Sequence, residues 1–208
     1  MKRDVRVGHG RFALVVAAML AASSGCASSP EPQFYTLVSS PGSTFASGPL
    51  HIQLRRPGLP GYLDRPQIVR QEQPGELELS GAERWAAPLE DMVGSILAQN
   101  LAERLPSARV FTESGGISSP HDAQVEVDIQ RFELTEHGTV ELVAQVAVHW
   151  PGALAEDSLD RYAFRHAPRD GSTRQLVAEM SGLLAELSSA IAHAIAEPRA
   201  GVASKPAR

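Results

Sequence analysis

Two periodicities divide this chain. Between Leu89 and Leu105 the apolar positions are 89, 92, 93, 96, 97, 101 and 105, the spacing of one face of a 3.6-residue helix. Pro88 suits the first turn of that helix and Pro106 ends it. A second helix is expected over Ser172 to Glu197, with Leu176, Met180, Leu183, Leu184, Leu187, Ile191 and Ile195 on one side and hydroxyls near its start as caps. Elsewhere the period is two. Gln33 to Ser39 alternates weakly and Leu50 to Arg55 alternates cleanly, so both read as strands on either side of a linker from Pro41 to Pro49. Gln67 to Arg70 and Glu76 to Leu79, separated by Gln73-Pro74-Gly75, predict a hairpin. Val110 and Phe111 sit in a short strand, and a Gly/Ser/Pro loop follows from Glu113 to His121.

Residues 123 to 150 predict a longer antiparallel hairpin turning at His137-Gly138. In its first strand Val125, Val127 and Ile129 share one face, whereas Phe132 and Leu134 are in the opposite phase, which asks for a bulge near Gln130-Arg131. Its second strand runs Val140, Leu142, Ala144, Val146, Val148, Trp150, and Leu159 to Ala167 adds a third. The expected fold is α+β: a single domain, a mostly antiparallel sheet with two amphipathic helices packed on one face. No internal repeat is visible.

The N-terminus follows neither period. Met1 to Arg11 is basic, Phe12 to Ala22 is almost wholly apolar, and Ser23-Ser24-Gly25-Cys26 follows, the three-part layout of a secretory signal. The apolar run, about 11 residues, is well short of the roughly 20 that span a membrane as a helix. Residues 1–25 are therefore read as a removable lipoprotein signal peptide, 26–32 as a tether, 33–197 as the domain and 198–208 as a flexible tail. Cys26 is the only cysteine, so it closes no disulfide within the chain and builds no multi-thiolate metal site. Ala22-Ser23-Ser24-Gly25-Cys26 resembles a bacterial lipobox, with Ser23 where leucine is commonest. That resemblance implies a covalent lipid on Cys26, and Ala27 resembles the outer-membrane form of the sorting signal. An ordinary signal with a cysteine near its cut site is the plainer alternative. The tether reaches only about 20 Å fully extended, so the head stays near its membrane.

Charge and composition remove several classes. The formal net charge is −5, and loss of the leader takes away four bases and one acid, leaving 15 bases against 23 acids, net −8. Nothing here matches the basic footprint a nucleic acid selects. The seven histidines, His9, His51, His121, His137, His149, His166 and His193, form no i, i+4 zinc pair. There is no Gly-x-Ser-x-Gly elbow, Gly115-Gly116 lacks the lysine of a phosphate loop, and the chain has only two lysines, Lys2 and Lys205. No catalytic residue, metal ligand or cofactor beyond the lipid is expected; the carboxylates on the alternating strands, and His121, Asp122 and His149, read as solvated surface. The expectation is that the protein is not an enzyme.

Two segments do stand out: Leu59-Pro60-Gly61-Tyr62-Leu63-Asp64-Arg65-Pro66-Gln67-Ile68-Val69-Arg70, and Glu83-Arg84-Trp85-Ala86-Ala87-Pro88-Leu89. A proline-bracketed loop is stiff, so it presents side chains at low entropic cost, and Tyr, Trp and Arg are common interface anchors. Tyr62, Leu63, Asp64, Arg65, Pro66, Trp85 and Pro88 are therefore candidates for a partner interface. An internal role remains equally open, with Asp64 and Arg65 tying the loop and Trp85 plugging the sheet edge.

At these residues, together with Cys26 and Phe34-Tyr35-Thr36-Leu37, the sequence resembles the ABC-type transport auxiliary lipoprotein (PqiC-like) family over roughly residues 26 to 195. The resemblance implies an outer-membrane lipoprotein on the periplasmic face, without catalysis of its own. It would work with a periplasmic mammalian-cell-entry (MCE) domain protein and its inner-membrane permease in intermembrane lipid transport, docking to that protein or self-associating as a homo-oligomer. Two alternatives remain. An apolar-ligand carrier would need a groove between the inward face of Val140 to Trp150 and the C-terminal helix, and a regulator of a cell-wall enzyme would need a polar cleft.

Overall fold

The computed structural model describes residues 31–46, 48–152 and 157–197. The signal peptide, Cys26, most of the tether and the C-terminal tail lie outside the described residues. The described residues from Pro32 onward form one compact unit. Its elements are β1 (Gln33–Tyr35), β2 (His51–Leu54), β3 (Gln67–Gln73), β4 (Glu76–Trp85), α1 (Leu89–Arg104), β5 (Arg109–Thr112), β6 (Ala123–Leu134), β7 (Val140–His149), β8 (Ser158–His166) and α2 (Thr173–Ala196).

The sheet is organised around β6. One edge pairs with β7 along nearly its whole length, and β8 extends the sheet beyond β7; both ladders are antiparallel. The other edge is shared. β2 pairs in parallel with Ala123–Val125, Gly58 bridges to Asp128, and β3 meets Leu134. β5 lies outside β2, parallel to it, while β4 continues from β3 and β1 from β4. The long ladders are thus antiparallel, as expected, and short parallel pairings join them into a mixed sheet. The bulge predicted near Gln130-Arg131 is present as a register shift between Ile129 and Arg131, so Ile129 and Phe132 both face the core.

Both helices pack on one face. The apolar stripes read from the sequence are buried: Leu89, Val93, Leu97, Leu101 and Leu105 from α1 and its C-cap, and Leu176, Leu183, Leu184, Leu187, Ile191 and Ile195 from α2. Ser172 caps α2, its Oγ accepting from Gln175 N. Val140, Leu142, Ala144, Val146 and Val148 are buried in the same core as α2, so the groove an apolar-ligand carrier would need between them is filled. Ties at the rim hold the layers together: His166 Nδ1 lies 2.9 Å from Glu179 and Nε2 2.6 Å from Glu186, joining β8 to α2. Among the described residues no helix is long and apolar enough to cross a membrane.

The segment after β1 departs from the expected strand and linker. Only Gln33–Tyr35 pairs; from Thr36 to Ala46 the chain is a strap bonded to both helices. Val38 N donates to Ser181 Oγ, Ser40 N to Asn100 Oδ1 at 2.9 Å, and Phe45 N to Arg104 O at 2.7 Å. Arg104, only 1% exposed, clasps the strap to α2. Its guanidinium donates to the carbonyls of Ser40, Asn100 and Ala185 and to Ser189 Oγ, at 2.9–3.1 Å. Among the described residues no carboxylate pairs with it, and burial pulls its pKa down, opposed by nearby Glu103. Gly42 rests on this group so closely that a Cβ there would sit 2.5 Å from Arg104 Nη2.

Candidate functional site

The proline-bracketed loop leaves the end of β2, runs beside β6 and returns at β3. Local turns shape it: Leu63 N donates to Pro60 O, Asp64 N to Gly61 O and Arg65 N to Leu63 O. It is stitched to the end of β4 by Trp85 N donating to Pro66 O at 2.7 Å, and Ala86 N then donates to Tyr35 O. Pro88 sits at the N-cap of α1, its carbonyl accepting from Met92 N.

These constraints place five of the seven sequence candidates around one feature. Asp64, Arg65, Pro66, Trp85 and Pro88, with Ala87, line a cleft of about 290 Å³. Trp85 is 5% exposed and forms part of the core, whereas Asp64, Pro66, Ala87 and Pro88 are exposed. Asp64 and Arg65 form no ion pair with each other. Among the described residues no acceptor meets the Arg65 guanidinium, and its Nε is buried without a partner. The cleft is therefore an apolar bowl with an uncommitted cation at its rim. Such a site suits an apolar side chain with an acceptor beside it, and its lining has no hydroxyl, thiol or imidazole. Among the described residues no group of three His, Cys, Asp or Glu side chains could hold a metal ion.

The other two candidates turn into the domain. Leu63 is buried in the core, and Tyr62 Oη donates to Glu133 at 2.5 Å. Here the loop covers the sheet face opposite the helices. Beneath it lie Glu133 and Glu141, opposite each other on β6 and β7 and almost wholly buried, which contradicts their reading as solvated surface. Arg131 reaches Glu141 at 2.6 Å and Arg165 reaches it at 2.5 Å. Burial pushes the Glu141 carboxyl up, but hydrogen bonds from these two arginines outweigh it and hold the pKa below the usual carboxylate range. Glu133 is the converse: burial dominates and lifts it above that range, despite the Tyr62 hydroxyl and Arg131. Tyr62 is itself raised, by burial first and then by its bond to Glu133. Alternation alone signalled none of this, because nothing in the sequence says that the loop will fold over these two positions.

Opposite signs follow for stability. Glu141, depressed when folded, adds stability above the ordinary carboxylate range that is lost as pH falls through its folded pKa. Glu133, raised when folded, favours the fold below that range and loses this contribution as pH rises through its folded pKa. Glu133→Gln keeps an acceptor for Tyr62 and removes a buried charge. It should raise stability at pH 7 by about 1 kcal/mol and flatten the loss of stability from acid to neutral pH. Urea titrations of both proteins at pH 4.5 and 7 would check this; equal differences at the two pH values would refute the assignment.

Comparison with known proteins places the whole arrangement in context. The family model described as "ABC-type transport auxiliary lipoprotein component" matches residues 35–192. An uncharacterized protein of known crystal structure is similar at 18% identity and TM-score 0.67, over 80% of this chain and 99% of its own. A protein from Xanthomonas campestris is similar at 14% identity and TM-score 0.62, over 78% of this chain and 95% of its own. At these identities the likeness shows a shared fold. No curated protein matches the chain.

Proposed function

Because the chain belongs to the ABC-type transport auxiliary lipoprotein family, we propose that it is an outer-membrane lipoprotein on the periplasmic face, anchored through an acylated Cys26. In this reading it has no reaction of its own. It docks to the MCE-domain protein of an intermembrane lipid transport system, and through it to the inner-membrane permease.

The observation that supports docking is the cleft at the loop. Its floor is rigid because Trp85 is fixed by the core and by the Pro66 carbonyl. Its exposed walls are Asp64, two prolines and an alanine; the prolines and the alanine lose little conformational entropy when a partner covers them. Arg65 adds a donor group that the domain itself does not use, suited to a carbonyl or carboxylate of the partner.

The test is affinity capture of the lipidated protein from crosslinked envelopes, with mass spectrometry of what is recovered. The wild type should bring down an MCE-domain protein and its permease. Arg65→Glu reverses the rim charge and Ala87→Glu obstructs the cleft from an exposed position; each should reduce recovery at least about tenfold, equivalent to about 1.4 kcal/mol, with unchanged melting. Recovery of wall enzymes alone would overturn the transport reading. Undiminished recovery by both variants would overturn the cleft as its contact.

A further inference from the structure

The corner of the sheet formed by β1, β4 and β3 has an outward face unlike the rest of this acidic chain. In β1 and β4, Phe34 is the register partner of Arg84, and Arg84 of Gln67. Further along the hairpin Leu79 stands opposite Val69, which is itself covered and buried, and Leu77 opposite Gln71. A register shift between the two sets lies in β4, where Ser80 Oγ accepts from Glu83 N. It flips the strand's phase and brings Leu77, Leu79 and Arg84 to the side occupied by Phe34. The opposite side faces the helices, since Arg70 reaches Thr173 and Gly171 there, and Glu76 and Glu78 alternate to it. Phe34 is 64% exposed, Leu77 41% and Leu79 42%. The register pairs that carry Phe34, Leu77 and Leu79 contain no acid, and the exposed Glu72, Glu76 and Glu78 flank the leucines at the hairpin end.

We propose that this face lies on the surface of the bilayer that holds the acyl anchor. The inference rests on the lipidation of Cys26 in the proposed function. Phe34 is the eighth residue after Cys26, so it stays within about 29 Å of the lipid. A large aromatic and two leucines exposed this close to an anchored chain have an apolar phase within reach. Arg84 beside Phe34 suits the phosphate level, its stem lying along the apolar contacts. A single flexible tether leaves a head free to tumble, and this second contact orients it, with the helix layer and its strap turned away from the membrane.

The test uses the mature acylated protein carrying Phe34→Trp, reconstituted in phosphatidylcholine and phosphatidylglycerol vesicles with brominated acyl chains. Wild type in the same vesicles supplies the signal of Trp85 and Trp150. The added indole should show blue-shifted emission that is quenched, most by bromine placed near the headgroups. Adding Leu77→Ser and Leu79→Ser should abolish that quenching without lowering the melting temperature. An acylated sample whose added indole is unquenched would overturn this surface alone; absence of acyl mass on the Cys26 peptide would overturn the anchor and the surface together. Quenching that is absent on vesicles, with burial of the added indole only once the transport partner is present, would assign the face to protein and refute the membrane contact.

Discussion

Arg104→Ala is expected to destabilise the domain by about 3 kcal/mol or more, a loss of the size found when a buried hydrogen-bonded charge is removed and its acceptors are stranded. The guanidinium serves three backbone carbonyls and a serine hydroxyl from three segments, namely the strap, α1 and α2. No ion pair among the described residues offsets its desolvation, so its contribution comes from satisfying groups that water cannot reach. Gly42 supplies an independent check. A methyl group at that position would collide with the guanidinium at 2.5–2.7 Å, and four hydrogen bonds keep the arginine from moving aside. Gly42→Ala should therefore cost about 1–3 kcal/mol in the wild type and almost nothing in an Arg104→Ala background. Denaturant midpoints of the four proteins close the cycle; additive losses would show that strap and arginine act separately.

Trp85→Ala should cost about 3–5 kcal/mol, the range for truncating a buried aromatic. The ring contributes to the core while also flooring the cleft, so this substitution lowers partner recovery through unfolding as well as through lost contact. The prediction is a large drop in thermal midpoint together with loss of capture, against Arg65→Glu and Ala87→Glu, which lose capture alone. A Trp85→Ala protein that melts with the wild type would show that the indole is dispensable to the core.

Much of the frame could be read from residue order. The helix expected over Leu89 to Leu105 is found at Leu89–Arg104, and that expected from Ser172 begins at Thr173 with Ser172 as its cap. The bulge is legible because strict alternation cannot put Ile129 and Phe132 on one face without an extra residue between them. Strand neighbours were another matter. Alternation in Leu50–Arg55 identifies a strand but carries nothing about its parallel partners at residues 109–112 and 123–125. The hairpin strands run to Gln73 and Trp85, beyond the expected ends, because register shifts at Ser80–Glu83 and between Gln71 and Gln73 interrupt the strict alternation. Nothing in the sequence singles out Arg104, since only the strap makes its position interior. Within the candidate site, the sequence singled out the loop and the tryptophan that line the cleft, but it could not divide Tyr62 and Leu63, turned inward, from Asp64 to Pro66 at the cleft.

The placement of β2 has a consequence for how the chain reaches this state. β2 lies between β5 and β6, whose residues follow it by roughly 60 to 70 positions, so both of its pairings close long loops. As the chain emerges from its N-terminus, one hydrogen-bonding edge of β2 stays open until residue 112 has followed and the other until residue 125. Folding is thus completed late and as a whole, and the interval is one in which an apolar strand is available to other chains.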